Sequence, residues 1–262
     1  MYYNGAMLPH NVPITGAMTT FVALVMFIAW LYATNRVRRS GAAQRPVLFL
    51  NNYFLYMAIF STCLSVPYIW LSNASRFSLA MAIGYTVGHI FCYIAFMYIA
   101  RMVFALEPRL VSKDRVVVVI WLLAVIGVTI LNAKTMIWGV RPVFDHVRNL
   151  TEFNVNPVVG NAIVVMSVFS LVPAVILFGI SVFKTRGVAR VKPLLLTLGF
   201  LIVMVAGPLH DVARSGTVYA TADFLSAVSM ALLCLGVVYR VERNLNEVPT
   251  IGHVIHSPSN TV

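Results

Sequence analysis

Four ionisable residues sit close together in a chain that is otherwise nearly all apolar. They are His210, Asp211, Arg214 and Asp223, within GPLHDVARSGTVYATAD at positions 207–223. Charged side chains cost roughly 2.5–3.5 kcal/mol at the centre of a bilayer, so they normally face a protein interior or a water-filled cavity. Together, an imidazole, two carboxylates and a guanidinium can hold a polar ligand, relay a proton or ligate a metal. Gly207, His210, Asp211 and Arg214 share one stripe if this stretch is helical. Asp211 can pair with Arg214 one turn on. The bland alternative is an ordinary polar helix end, stopped by Ser215 and Gly216.

A second stripe precedes it. Tyr85, Gly88, His89 and Cys92 have the same spacing. Gly84 and Gly88 form a GxxxG pair, which permits close helix approach. His89 is the deepest histidine, ~15 Å from the expected outer end of its segment at 1.5 Å per residue, and His210 is ~5–8 Å from its own. The two imidazoles can therefore converge. His89 can equally be a neutral ring bonded to a neighbouring hydroxyl or carbonyl. Asp223 opens the last apolar segment, with Ser226, Ala227 and Met230 on its face; a helix dipole alone would favour a carboxylate there. Tyr219, in the turn before it, can roof the site. Asn132 and Lys134 lie at similar depth. The candidate ligand-binding set is thus His89, His210, Asp211, Arg214, Asp223, Tyr85 and Tyr219.

The elements that must position these groups are membrane helices. Of 262 residues, 60% are hydrophobic and 10% charged, with a mean hydropathy of +0.87. Soluble domains carry about 25% charged residues. Seven segments reach the ~20 apolar residues a span needs: 15–35, 47–71, 79–104, 116–138, 158–183, 193–214 and 223–240. The expected fold is an all-α, polytopic seven-transmembrane helix bundle over 1–243, with a short cytoplasmic tail over 244–262.

The net charge of +11 does not point to nucleic acid, because the basic residues sit in short loops. Thirteen of the 19 Lys and Arg follow the first, third, fifth and seventh segments, from Arg36 to Arg243. The positive-inside rule then places the N-terminus outside and the C-terminus in the cytoplasm. Short loops point to a bacterial cytoplasmic membrane. Trp70 and Trp138 fall at outer ends, where aromatic belts form, whereas Trp30 and Trp121 lie deeper as packing residues. Arg101 reads as a snorkelling charge. Pro67, Pro173 and Pro208 can kink the second, fifth and sixth segments.

The longest loop, 139–157, can cap the bundle or simply be a solvated connection; solvation is the default for a loop. It carries Asp145, His146 and Glu152. Asn73-Ala74-Ser75 and Asn149-Leu150-Thr151 read as sequons. Cys63, Cys92 and Cys234 sit in apolar runs as small core residues, without metal or disulfide spacing. The N-terminal residues lack the basic region of a cleaved signal peptide.

The stretch GPLHDVARSGTVYATADFLSAVSMALLCLGVVYRVERN resembles the end of the seven-helix sensor regions of bacterial histidine kinases and related signalling proteins. The resemblance is one of plan: seven spans, an outer polar patch and a last helix running into a charged exit. It implies a sensory role with a separate signalling partner, because no kinase follows, and it assigns no residue.

The first expectation is therefore a non-enzymatic receptor or sensory module that binds a small ligand in the outer half and needs no cofactor. The absence of HExxH, P-loop and GxSxG motifs fits this. One alternative is a haem b or metal protein using His89 and His210, with Asp211 or Asp223 added for a metal. Another is a channel or transporter with a His/Asp relay. Besides the lipid bilayer, a signalling partner and an unidentified small molecule are the expected contacts.

The topology is directly testable. A reporter fused to the C-terminus should be active only if its cytoplasmic form is the active one. Activity of a reporter that works only outside the membrane would overturn the orientation.

Overall fold

The computed structural model describes residues 13–40, 45–106, 114–213 and 215–239, without the side chains of Ser40, Asp211 and Val212. Arg214, the basic residues Arg109, Lys113, Arg240 and Arg243, the N-terminal 1–12 and the tail 244–262 lie outside the described residues. So does the expected pairing of Asp211 with Arg214.

Among the described residues, seven helices are long and apolar enough to cross a membrane. They are α1 (Ile14–Ser40), α2 (Arg45–Ser65), α3 (Ala74–Leu106), α4 (Asp114–Asn132), α5 (Pro157–Lys184), α6 (Val191–Val212) and α7 (Gly216–Val238). A 3-10 turn, Val66–Trp70, continues α2, and a π-helical turn, Ala133–Ile137, continues α4. Among the described residues, one small sheet joins this all-α plan. Strands β1 (Val143–Asp145) and β2 (Leu150–Glu152) pair antiparallel, with Phe144 opposite Thr151.

Six helices form a closed ring. Going round, α1 packs on α2, α2 on α3, α3 on α5, α5 on α6, α6 on α7, and α7 back on α1. Helix α4 stands outside the ring, against α3. Its outward residues Val119, Ile120, Leu123 and Ile130 are all exposed. A contiguous apolar face of that width is stable against lipid and not against water. Trp121, Val125 and Asn132 are the buried residues of α4, and Trp121 donates from Nε1 to the Tyr93 carbonyl of α3 at 2.8 Å.

Glycine sets the closest approach in the ring. A Cβ at Gly84 would collide with the carbonyl oxygen of Cys63 on α2. One at Gly88 would come within 3.2 Å of Cys63 and Phe60. The GxxxG pair therefore lets α3 rest on the backbone of α2, as its spacing implied. This also fixes which face of α3 turns to the ring interior, and His89 lies on it.

Three element ends differ from the sequence reading. Helix α3 starts at Ala74 because Asn73 caps it, its Oδ1 accepting from the Arg76 N–H at 3.1 Å. His89 therefore lies ~22 Å along α3. Helix α7 starts at Gly216, not at Asp223. The Thr and Tyr residues of 216–222 lower local hydropathy, but buried Tyr219 and Ala222 anchor them as helix. Asp223 is therefore two turns inside α7, and the helix-start account of its charge is withdrawn. Pro67 does not kink a continuous helix; it lies in the 3-10 turn where α2 ends, whereas Pro173 and Pro208 lie inside α5 and α6.

Arg101 is not a snorkelling charge. Its Nε and Nη2 donate to Oδ1 and Oδ2 of Asp114, both at 2.9 Å, and its guanidinium sits 4.5 Å from the Phe49 ring centre. This two-pronged pair ties the start of α4 to α3.

Replacing Gly84 by valine should destabilise the bundle by roughly 1–3 kcal/mol, the usual penalty for overpacking. Unfolding in mixed micelles measures it. Unchanged stability would show that α2 and α3 do not meet through backbone at this point.

Candidate functional site

The ring encloses a cavity reached by side chains from α1, α2, α3, α5, α6 and α7, and by none from α4. Its volume is ≈ 90 Å³. A single water needs about 10–15 Å³ on this measure, so the space suits several waters or a compact ligand. The wall is mostly apolar, with Met57, Phe60, Phe96 and Met230 prominent. Into it project Tyr85, His89, His210 and Asp223, four of the residues singled out from sequence, together with Gly207 and Ser226.

The pair His210–Asp223 is the polar centre. Helix α6 ends two residues beyond His210, which places the ring beside the second turn of α7. His210 Nε2 lies 3.1 Å from Asp223 Oδ1, with the carboxylate accepting. Asp223 is 4% exposed. A lone carboxylate so buried would be strongly unfavourable, and a histidine partner offsets part of that cost. A carboxylate partner of His210 thus comes from the next helix.

His89 is held differently. Its Nδ1 is 2.8 Å from the Tyr85 carbonyl one turn earlier. A carbonyl oxygen only accepts, so Nδ1 carries the proton. The ring then packs among aromatics, tilted at 3.9 Å from Tyr85 and edge-to-face at 5.1 Å from Phe60, centre to centre. Both the local bond of the bland reading and a place on the cavity wall are therefore realised.

Between the two histidines stands a residue the sequence reading did not select. Phe153 is fully buried, with its ring 5.1 Å from Tyr85 and 4.9 Å from His210. It comes from the 139–157 loop, which is a cap and not a solvated connection. Thr151, also fully buried, shares a 2.5 Å bond with the Tyr68 hydroxyl, and its N–H donates to Thr15 Oγ1 at 3.2 Å. The Ile14 N–H donates to the Asn149 carbonyl at 2.9 Å. Asn149 takes a left-handed φ of 58°, a conformation asparagine tolerates better than most residues. These contacts bury Thr151 and leave Asn149 half-buried.

The hairpin's exposed side is closed by charge. Asp145 Oδ1 accepts from the N–H groups of Val147 and Arg148 at 2.8 and 3.1 Å. Chiefly the Arg148 N–H, and also that of Val147 and the Arg148 charge, hold the Asp145 carboxyl below its usual range. A depressed carboxylate stabilises the fold above the ordinary carboxylate range and loses that contribution as pH falls through its own lower value.

Tyr219 is not a roof in the turn. It is buried in the first turn of α7, with its ring 5.6 Å from His210. Asn132 is buried but lines no part of this cavity, and Lys134 is exposed. The walls from α1, α2 and α5, including Ser167, also escaped the sequence reading. Their hydroxyls and methionines look like ordinary helix content until the ring closes.

Phe153→Ala should cost about 3–5 kcal/mol of stability, as buried phenylalanine truncations do, and should loosen the hairpin from the helices. Unfolding of the purified protein, with protease nicking between 139 and 157 as a second readout, tests this. A resistant, fully stable variant would show that the loop is not a structural cap. Comparison with known proteins found no matching family model, no matching curated protein and no matching solved structure, so the site's geometry alone carries the functional argument.

Proposed function

We propose that this chain is an integral membrane sensory or receptor module that binds a small ligand in the hairpin-side half of its seven-helix bundle. The orientation has the hairpin outside and the basic ends of α1, α3, α5 and α7 in the cytoplasm. A bacterial cytoplasmic membrane is the proposed location. The observation that carries the reading is the cavity itself. It is ring-enclosed and largely apolar, and a few convergent polar groups, Asp223, His210 and His89, stand at its wall. That combination is the usual composition of a small-molecule site. Ligand contacts with α6 and α7 together would bias how these helices pack, and α7 leads toward the cytoplasmic exit. A separate signalling partner would read that change. No catalytic step is assigned.

Haem b has less support. An axial pair would place the porphyrin between His89 and His210, where Tyr85 and Phe153 now stack. Among the described residues no group of three or more His, Cys, Asp or Glu is placed to hold a metal. An ion relay would use the same His210–Asp223 pair, which is the kind of buried group that marks ion pathways. Flux in proteoliposomes separates that reading from sensing.

Native mass spectrometry on protein extracted in mild detergent is the direct test. The wild type should carry a small-molecule adduct, and His210→Ala should lose it while keeping its helical spectrum. The substitution leaves the buried Asp223 carboxylate without its imidazole partner and should cost about 3–5 kcal/mol of stability, so the helical spectrum is read beside the adduct. An adduct that persists unchanged in the variant would remove His210 from the site.

A further inference from the structure

We propose that the ligand of this cavity is a small organic cation: an ammonium group carried on a compact apolar body. The proposal rests on the ligand-binding reading above and adds the chemistry of the ligand.

The charge of the wall points this way. Among the described residues, Asp223 is the carboxylate of the cavity lining, and neither lysine nor arginine joins it. One oxygen, Oδ1, takes His210. The other, Oδ2, is buried and has no hydrogen-bond partner among the described residues. A buried carboxylate oxygen left unmet is costly, and a charged N–H donor meets that need better than a neutral one. Ser167 Oγ on α5, fully buried, is a second wall oxygen without a partner among the described residues. Both residues line the same cavity, and an ammonium carries several donors.

The rest of the wall suits the body of such a ligand. Phe60, Tyr85 and Phe96 present aromatic rings, whose faces attract a cation at close range. The methionines Met57 and Met230 accept irregular apolar shapes. An anion would meet the Asp223 carboxylate with no described lysine or arginine in the lining to offset it, and the His210 ring is already engaged by Oδ1. A bare metal ion lacks ligands, since no group of three or more acidic, His or Cys side chains converges among the described residues.

Three probes of matched shape decide the point: benzylammonium, benzyl alcohol and benzoate, titrated calorimetrically into the full chain in nanodiscs. Benzylammonium should bind at least about tenfold more tightly than benzyl alcohol, the equivalent of one charge-assisted hydrogen bond. Benzoate should not bind. Asp223→Asn, nearly isosteric, should erase the tenfold preference. Ser167→Ala should weaken benzylammonium by roughly fivefold. If Asp223→Asn fails to fold, the wild-type preference and Ser167→Ala still decide. Equal or tighter binding of the alcohol or of benzoate overturns the cation assignment and leaves the ligand site standing. If none of the three binds while the native adduct is present, the cation assignment alone falls. If the adduct is missing as well, both fall.

Discussion

Asp223 sets the terms for the rest of the bundle. A carboxylate two turns inside an apolar helix cannot face lipid, so α7 must turn that face to the interior. The interior must then supply a partner, and His210 at the end of α6 does so at 3.1 Å. That pairing fixes the register between α6 and α7, and Gly199 and Gly236 support it by leaving room for Leu233 and Leu196 from the facing helix. The same requirement keeps the ring from closing tightly around the pair. The result is a cavity at this level, while farther along the bundle the rings of Tyr53, Phe178 and Phe200 pack together, Phe178 stacked on Phe200.

The hairpin answers the second constraint, which is water. A polar pair near the end of a bundle is solvated unless something covers it. Phe153 lies against His210, and Thr151 knits its strand to α1 and to the turn after α2. Burial of Asp223 therefore depends on a loop distant in sequence, not on the depth of its own helix alone. A ligand entering here would meet groups already withdrawn from water, where hydrogen bonds to charge are strongest.

The seven helices were legible because membrane helices write themselves in composition: about 20 apolar residues suffice, whatever they pack against. His89 and His210 were legible as inward residues for the same reason, since polar groups in such a helix have few places to go. The hairpin was not legible. Its strands are three residues each, too short for an alternating pattern, and Phe153, its largest core residue, is one of two phenylalanines in a mixed stretch. The start of α7 was missed because threonine and tyrosine lower hydropathy without opposing helix. The Asp114 partner of Arg101 was missed because the pair crosses a loop, and pairing across helices has no spacing rule.

The pairing of His210 with Asp223 carries no spacing signal. Contacts between helices follow from how the helices meet, not from positions along either one. The carboxylate that joins His210 comes from thirteen residues later, through a turn and two helical turns. What converges at this site is therefore set by how α6 hands over to α7. The ends of those two helices, more than any single motif, determine which oxygen faces the cavity.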